Sequence, residues 1–267
     1  MTIHWNFAGL RGAISAMLLS TLSSAVAAPM VFFDHDERSL STQAFPNTTA
    51  ARNNFLSEIT TLGGTAFNQN LSSGIPSGAN PSFGFPGSTI TATTTNLSYQ
   101  FVTFFGVNDT NNGSASSALI ESEVSSGTAT TAVPNSIQFS DPVNAFGLYL
   151  CQAGDVLGHP VTFRLENTAL PGTFEDVVVN VGPNWQSFAI AYLGIIDPNF
   201  SFNKVTMIED TDVNNNGISD DLEDGIILDN LTIAVVTVPE ASSLVMLSIG
   251  AMVPVVGLLR SRSKSSK

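Results

Sequence analysis

The stretch Ser136–Cys151, SIQFSDPVNAFGLYLC, decides the expected fold, because it holds two β-type runs separated by turn residues. In the first run, Ser136–Phe139, the apolar Ile137 and Phe139 alternate with polar residues, as in a strand with one buried face. The second run, Ala145–Cys151, is apolar almost throughout, and Asp, Pro and Asn punctuate the link between the runs. The pattern predicts two short strands.

Similar runs continue from Ser88 to the end of the body, separated by Gly, Pro, Asn and Asp. They are Thr89–Thr95, Ser98–Phe105, Pro160–Leu165, Asp176–Val181, Trp185–Tyr192, Phe202–Ile208 and Ile226–Val236, with Phe32–Asp34 nearer the N-terminus. Leu71–Gly87, which contains three prolines, and Asn108–Ala118 are predicted loops. Many short strands between turn signals predict an all-β fold, a sandwich of two antiparallel sheets.

One helix is expected before these strands. Asn47 is a suitable cap for a helix over Thr48–Leu62, and Gly63-Gly64 end it. Its apolar residues recur at helical spacing. They are Ala51, Phe55, Ile59 and Leu62. A helix with a single apolar stripe is expected to lie on a sheet.

Charge and cysteine content exclude several classes of protein. The 267 residues carry a formal net charge of −13, so the basic face that nucleic-acid binding requires is missing. The one cysteine, Cys151, permits neither an intrachain disulfide nor a cysteine-based zinc site. Its apolar surroundings predict a small buried side chain rather than a nucleophile.

The N-terminal residues have the parts of a secretory signal peptide. Arg11 precedes an apolar run, Ala13–Leu22, and small residues follow it up to Ala28. A basic residue, an apolar run of about ten residues and an A-x-A site are the features that signal peptidase reads. We expect residues 1–27 to be a signal peptide that is cleaved after Ala27.

A second apolar segment lies near the C-terminus. Ala241–Leu259 has 19 residues without a charge. As a helix it spans roughly 28 Å, close to the thickness of the bilayer core. A basic tail, residues 260–267, follows directly and contains Arg260, Arg262, Lys264 and Lys267. The sequence predicts a transmembrane helix whose tail stays in the cytoplasm, with the preceding residues outside.

Val238-Pro239-Glu240, the apolar segment and the arginine-containing tail together resemble a PEP-CTERM sorting signal. The resemblance covers about the last 30 residues and departs from the motif at Ala241, where a second proline is usual. It implies processing by an exosortase-type membrane enzyme, export to the envelope, outer surface or matrix of a Gram-negative-type cell, and an exopolysaccharide context. The expected division is a signal peptide (1–27), an exported ectodomain (28–237) and a sorting signal (238–267).

The exported body is strongly acidic, since residues 28–238 contain 4 basic and 21 acidic side chains, a formal charge of −17. Within it, residues 212–223 read DVNNNGISDDLE and satisfy D-x-[DN]-x-[DN]-G-x₅-E, the pattern of a calcium loop. The expected ligands are Asp212, Asn214, Asn216, the Ile218 carbonyl, Asp220 and Glu223. The segment 210–224 resembles the loops of thrombospondin type 3 and dockerin modules. A structural calcium that stabilises a hairpin is predicted; an acidic loop without metal is the alternative.

Signals for catalysis are weak. After signal cleavage the histidines are His35 and His159, and no serine lies in a G-x-S-x-G elbow. His159 fits a loop, whereas Asp34–Glu37 fits either a metal site or, more simply, a solvated turn. A pair of glycosidase carboxylates is not identifiable from the sequence. Trp185 is either an exposed sugar platform or a core anchor.

The order of the helix, Ser140–Leu150, Tyr192–Ile196 and Asp229–Ile233 is similar to that in jelly-roll-like ectodomains of PEP-CTERM proteins. Three functions follow as expectations. The first is an exported, non-catalytic protein, stiffened by calcium, that acts by binding or structural contacts. The second is an exported polysaccharide hydrolase with unidentified carboxylates, and the third is a single-pass membrane protein that keeps its tail.

Overall fold

The structure is a computed structural model, and it describes nine parts of the chain. They are residues 28–36, 44–71, 75, 77–102, 116–121, 135–151, 160–180, 190–209 and 227–236, with the break at 76 separating 75 from 77. No helix in these parts is long and apolar enough to cross a bilayer. The predicted signal peptide and the predicted helix over 241–259 lie outside them.

The described residues form one helix and fourteen strands. The helix, α1, is Pro46–Thr61. The strands are β1 Met30–Asp36, β2 Thr65–Gln69, β3 Gly78–Ala79, β4 Ser82–Gly84, β5 Thr91–Thr95, β6 Leu97–Val102, β7 Ser116–Glu121, β8 Asn135–Val143, β9 Ala145–Cys151, β10 Pro160–Glu166, β11 Phe174–Asn180, β12 Ile190–Ile196, β13 Phe202–Glu209 and β14 Ile227–Val235.

These strands make two antiparallel sheets. The large sheet has the order β1-β12-β9-β14-β7-β6-β3, with β2 also paired to β14, and the small sheet has the order β11-β10-β13-β8-β5-β4. The expected sandwich is therefore confirmed, and β9 has the predicted bounds. The loop prediction for Leu71–Gly87 is wrong in part, because β3 and β4 lie within it, and β7 begins inside the predicted loop Asn108–Ala118.

Two apolar layers hold the sandwich together. Phe139, Phe146 and Phe163 lie in the layer between the sheets, which contains a cavity of about 10 Å³, too small for a ligand. The second layer lies between α1 and the outer face of the large sheet. Because both faces of β9 and β12 are covered, all seven residues of each strand are buried. The expected alternation holds in β8, where Ile137 and Phe139 are buried and Gln138 between them is exposed.

Helix α1 packs on two facing glycines of the large sheet, which we call the glycine strip. Gly147 of β9 pairs with Gly194 of β12, and the Phe55 ring of α1 packs over both. A Cβ atom on Gly194 would lie 2.6 Å from Phe55 Cδ2, and one on Gly147 would lie 2.5 Å from the Tyr192 hydroxyl. The helix therefore sits closer to the sheet than side chains at these two positions would allow.

The strand register defines two ends of the sandwich. At the corner end, Asn144 links β8 of the small sheet directly to β9 of the large sheet, and a five-residue turn, 197–201, links β12 to β13. At the opposite end, the loop end, the chain continues into segments outside the described residues. The row of paired residues across the large sheet at the loop end is Asp36, Ile190, Cys151, Ile227 and Ile120.

Candidate functional site

The calcium-type motif lies between strands of different sheets. β13 ends at Glu209 in the small sheet, and β14 begins at Ile227 in the large sheet. The hairpin prediction is therefore wrong, because the segment 210–226 crosses from one sheet to the other. The six predicted ligands lie outside the described residues. They are Asp212, Asn214, Asn216, Ile218, Asp220 and Glu223.

Several other segments continue from the strand ends at the loop end. In the small sheet, Pro160 pairs with Asn180 and Val161 with Glu209, so these strand ends lie together. The segments that leave the loop end are 37–43, 122–134, 152–159, 181–189 and 210–226. They include His159, Trp185 and the calcium-type motif, which are all outside the described residues. The topology thus attaches most sequence-predicted candidates to one end of the sandwich.

Asp229 is a buried acidic residue just after this crossover. Its side chain is fully buried, it lies opposite Tyr149 of β9, and its Oδ1 accepts the Asn230 N–H at 2.7 Å. Asn230 has a φ of 50°, and the β14–β9 register shifts between Asp229 and Thr232. A bulge therefore fixes the start of β14 next to the segment that carries the motif.

Two tyrosines lie beside Asp229 under α1. The Tyr149 and Tyr192 ring centroids are 5.0 Å apart. Burial raises the pKa of Tyr149 to about 12, although the Arg52 guanidinium acts in the opposite direction, and burial also raises the pKa of Tyr192. Phenols with raised pKa values stay protonated at neutral pH. Neither is suited to act as a general base there.

Two buried polar atoms in this layer lack a good hydrogen bond to any described residue. They are the Tyr192 hydroxyl oxygen and Arg52 Nε. The polar neighbour of Tyr192, Thr232, donates its own hydroxyl proton to Asn68 Oδ1 at 2.6 Å. The Tyr192 hydroxyl also lies over Gly147, where a Cβ atom would be 2.5 Å from it.

The Asp34–Glu37 group does not form a solvated turn in its described part. Asp34, His35 and Asp36 belong to β1, and Glu37 lies outside the described residues. Asp36 is buried and caps α1 from the neighbouring strand: its carboxylate accepts the Asn47 N–H at 3.1 Å and the Thr48 N–H at 2.8 Å. The predicted cap by Asn47 is wrong, because α1 begins at Pro46, and Asp36 supplies the acceptor instead.

The Asp36→Ala variant is expected to lower the free energy of unfolding by about 1–2 kcal/mol, because it removes the acceptor for the first turn of α1. Asp36 also accepts the Thr48 hydroxyl at 2.9 Å, and without Asp36 the buried hydroxyl would keep only the longer contact to the Phe45 carbonyl, at 3.2 Å. The exposed Asp34 of the same strand is a matched control, since Asp34→Ala removes the same charge. Urea unfolding checks the prediction, and equal losses in both variants would contradict it.

Cys151 is buried in β9, as predicted, and so are Tyr99, Tyr149 and Tyr192. These tyrosines are therefore unavailable as exposed platforms for sugar rings. Tyr99 instead donates its hydroxyl proton to the Leu71 carbonyl between the sheets. For Trp185, which lies outside the described residues, the exposed sugar platform and the core anchor both stay predictions.

A carboxyl pair that the sequence did not reveal lies at the corner end. It consists of Glu175 in β11 and Asp197, which follows β12. Hydrogen bonding to Asp197, burial and the Asp197 charge raise the pKa of Glu175 to about 7. The alternation Glu175, Val177, Val179, in which the two valines are buried, is the one sequence signal that points Glu175 into the sandwich.

The fold and these contacts define an antiparallel β-sandwich with an outer helix. No family model matches the chain, and no curated protein is significantly similar to it. A solved structure that resembles it is the crystal structure of a DUF4465 family protein from Bacteroides ovatus ATCC 8483. The TM-score is 0.31 and the identity 10%, with 64% of this chain and 99% of that chain covered.

Proposed function

We propose that the chain is an exported, non-catalytic cell-surface or extracellular-matrix protein that calcium stabilises at its loop end. In this proposal it acts by binding or structural contacts in an exopolysaccharide context. We also propose that the sandwich is a jelly-roll-like ectodomain. The proposed export and sorting are supported by the sequence alone, through residues 1–27 and through the resemblance of residues 238–267 to a PEP-CTERM signal.

The observation that best supports a calcium site is the position of segment 210–226 between strands of different sheets. A calcium ion held by residues 212–223 would fix the crossover and so join the sheets at the loop end. Eight acidic residues lie in the 21 positions 209–229, and their repulsion favours a bound divalent cation. Such sites in extracellular modules bind at about 10⁻⁴–10⁻³ M, which suits a structural ion.

The same end is the best candidate for a binding surface. Loops presented at one end of a sandwich carry function in many β proteins. The segments 152–159 and 181–189 leave the loop end together with segment 210–226. Calcium and polar loop residues, with Trp185, would supply the contacts to a polysaccharide.

For export and sorting, we propose that signal peptidase removes residues 1–27 and that an exosortase-type membrane enzyme recognises Val238-Pro239-Glu240. The helix over 241–259 and the basic residues Arg260 and Arg262 complete that signal. The C-terminal helix would anchor the chain in the inner membrane until processing. Retention of the tail in a single-pass membrane protein is the competing outcome.

The hydrolase alternative gains nothing from the Glu175–Asp197 pair. Glycosidase carboxyls lie about 5–5.5 Å apart in retaining enzymes and about 6.5–9.5 Å apart in inverting ones. Asp197 is 3% exposed, and its Oδ1 accepts the Asn199 and Phe200 N–H groups, so its carboxylate serves the β12–β13 turn rather than an open cleft. The pair is therefore better explained by its contacts within the fold.

Retention on a panel of immobilised glycans tests the proposal. The protein purified from the surface fraction is passed over neutral and acidic polysaccharides in 5 mM calcium and again in chelator. We expect calcium-dependent retention on at least one polysaccharide, with the chain length of that polysaccharide unchanged. Shortened products would support the hydrolase instead. If the protein is retained on no glycan, either in calcium or in chelator, the binding proposal is contradicted.

A further inference from the structure

The first and the last described residues of the chain, Ala28 and Val236, both lie at the corner end of the sandwich. Two positions after Ala28, Met30 pairs with Ile196, the last residue of β12. Val236 follows β14 and is held by the side chain of Asn144: Nδ2 donates to the Val236 carbonyl at 2.9 Å, and Oδ1 accepts the Val236 N–H at 2.7 Å. The sequences before and after the sandwich are therefore attached to the same end of it.

The exposed large apolar side chains gather at this end as well. Among the residues that the structure describes there are five: Val31, Leu170, Phe174, Val178 and Val235. Val235 ends β14, and Val31 pairs one position in from the corner. Glu166 at the end of β10 pairs with Lys204 near the start of β13, so the β10–β11 turn with Leu170 belongs to the corner end. Phe174 begins β11 directly after that turn, and of the five Val178 alone lies nearer the loop end.

Leu170 is the most exposed of these side chains, at 57%, and the turn 167–173 that carries it satisfies its own backbone donors. The Asn167 N–H donates to the Thr173 carbonyl at 3.2 Å, and the Thr173 N–H donates to the Leu170 carbonyl at 3.0 Å. The Leu170 N–H donates to the Asn167 carbonyl at 3.0 Å, and the Ala169 N–H to Asn167 Oδ1 at 3.1 Å. A turn with satisfied donors can enter an apolar environment at low cost.

Side chains of the neighbouring strand fix the direction of this turn. Asn203 of β13 accepts the Thr168 N–H on Oδ1 at 2.8 Å, and its Nδ2 donates to Thr168 Oγ1 at 2.7 Å. Asn167 Nδ2 donates to the Ser201 carbonyl at 3.0 Å. The turn is thus braced against the start of β13, and Leu170 is presented by a hydrogen-bonded support.

The turn is also free of charge in a strongly acidic body. Residues 167–174 read NTALPGTF, and Glu166 just before them pairs with Lys204 at 2.9 Å. Asp141 of β8 is an exposed carboxylate toward the same end. Because residues 28–238 carry a formal charge of −17, an anionic surface would repel the body. An uncharged apolar tip therefore fits lipid with neutral headgroups, in which apolar side chains reach about 5–10 Å into the boundary with the acyl chains.

We propose that the corner end is a membrane-contacting surface, in which Leu170 enters a neutral lipid surface and the loop end points away from the bilayer. The inference rests on the proposed function, in which the helix over 241–259 anchors the chain before processing. Four residues, 237–240, separate Val236 from Ala241, so the chain allows at most about 18 Å between these two residues. A tether this short gives an effective concentration in the millimolar range, at which contact through a few apolar side chains is sufficient.

This orientation separates the two parts of the proposed function in space. The motif Val238-Pro239-Glu240 follows the corner end and is kept near the membrane enzyme that recognises it. The segment 210–226 leaves the loop end, at the other end of β14. A strand of the length of β14 separates the two ends by on the order of 30 Å. Segments at the loop end therefore stay accessible to a polysaccharide while the tail is still in the membrane.

Fluorescence quenching of the full, unprocessed chain in phosphatidylcholine vesicles tests the inference. A bimane label is attached through Leu170→Cys or, as the matched control, through Thr95→Cys; Cys151 is buried and does not compete. Thr95 is exposed and pairs with Ser136 at the loop end. We expect brominated lipid to quench the label at position 170 on the order of twofold or more above the label at 95. Iodide on both sides of the bilayer should show the reverse order, and a label through Val178→Cys should lie between the two.

Flotation of the vesicles, measured first, separates this inference from the proposed anchor. If the chain floats and brominated lipid quenches position 170 no more than position 95, the membrane-contacting corner is overturned and the anchor stands. Shielding of position 170 from both quenchers would indicate a protein partner and would also overturn it. A chain that does not float contradicts the anchor, and the inference falls with it. Val235→Cys, at a second exposed corner position, repeats the test if Leu170→Cys does not fold.

Discussion

The Gly194→Ala variant is expected to lose about 2–3 kcal/mol of unfolding free energy, because the new methyl group overpacks the layer under α1. Its Cβ would lie 2.6 Å from Phe55 Cδ2 and 2.7 Å from Phe55 Cγ. Phe55 has little room to move, since its ring contacts Phe32 and Tyr192 at centroid distances of 5.8 and 5.9 Å. Urea unfolding measures the loss.

Gly84→Ala is the matched control for this prediction. Gly84 also lies in a strand, and a Cβ atom there would meet nothing within 4 Å. We expect its unfolding free energy to stay within about 0.5 kcal/mol of the parent value. A smaller side chain at position 55, in Gly194→Ala combined with Phe55→Leu, should recover part of the loss. Equal destabilisation by both alanine substitutions would contradict the role given to the glycine strip.

Calcium at 10 mM is expected to raise the melting temperature by about 5–10 °C relative to chelator. A site with a dissociation constant of about 10⁻⁴ M is then occupied at a hundredfold excess, which stabilises the folded state by about 2.7 kcal/mol. For a domain of this size, each kcal/mol shifts the melting temperature by about 2–4 °C. Scanning calorimetry in calcium and in chelator measures the shift.

Variants of the motif separate a calcium site from a general effect of ionic strength. Asp212→Asn and Glu223→Gln are expected to lose most of the shift, because each removes a charged ligand. Asp141→Asn changes the net charge equally at an exposed position of β8 and should keep the shift. An equal shift in all three variants, or none in the parent protein with no heat of binding, would refute the site.

Local patterns in the sequence predicted much of the fold. The alternation around Ile137 and the apolar run Ala145–Cys151 each identified a strand, and the stripe Ala51, Phe55, Ile59 identified the buried face of α1. These features depend on neighbours within a few positions, which is why one sequence is sufficient to reveal them. The presence of two packed antiparallel sheets then followed from the number of short strands.

The features that the sequence missed depend on distant partners. The strands β3 and β4 are two and three residues long and lie among prolines and glycines, so they have no period to detect. The cap of α1 comes from Asp36, ten positions before the helix, and it needs β1 to be paired with β12. The crossing of segment 210–226 between sheets likewise depends on pairing, and a run of strand, loop and strand suggested a hairpin.

The candidate sites also differ in whether a local motif or a distant partner defines them. The calcium ligands follow from a local motif, and they stay a prediction because residues 210–226 lie outside the described residues. Glu175, in β11 of the small sheet, and Asp197, just after β12 of the large sheet, are 22 positions apart, and neither residue belongs to a motif. Only the strand alternation around Val177 hinted that Glu175 points inward.

The mass of the intact chain in the surface and secreted fractions tests the central claim most directly, namely that both apolar termini are sorting signals for an acidic sandwich. The proposal predicts a polypeptide that begins at Ala28 and has lost the residues after Glu240, found outside the inner membrane. A full-length, unprocessed chain dissolved in the cytosol would contradict it.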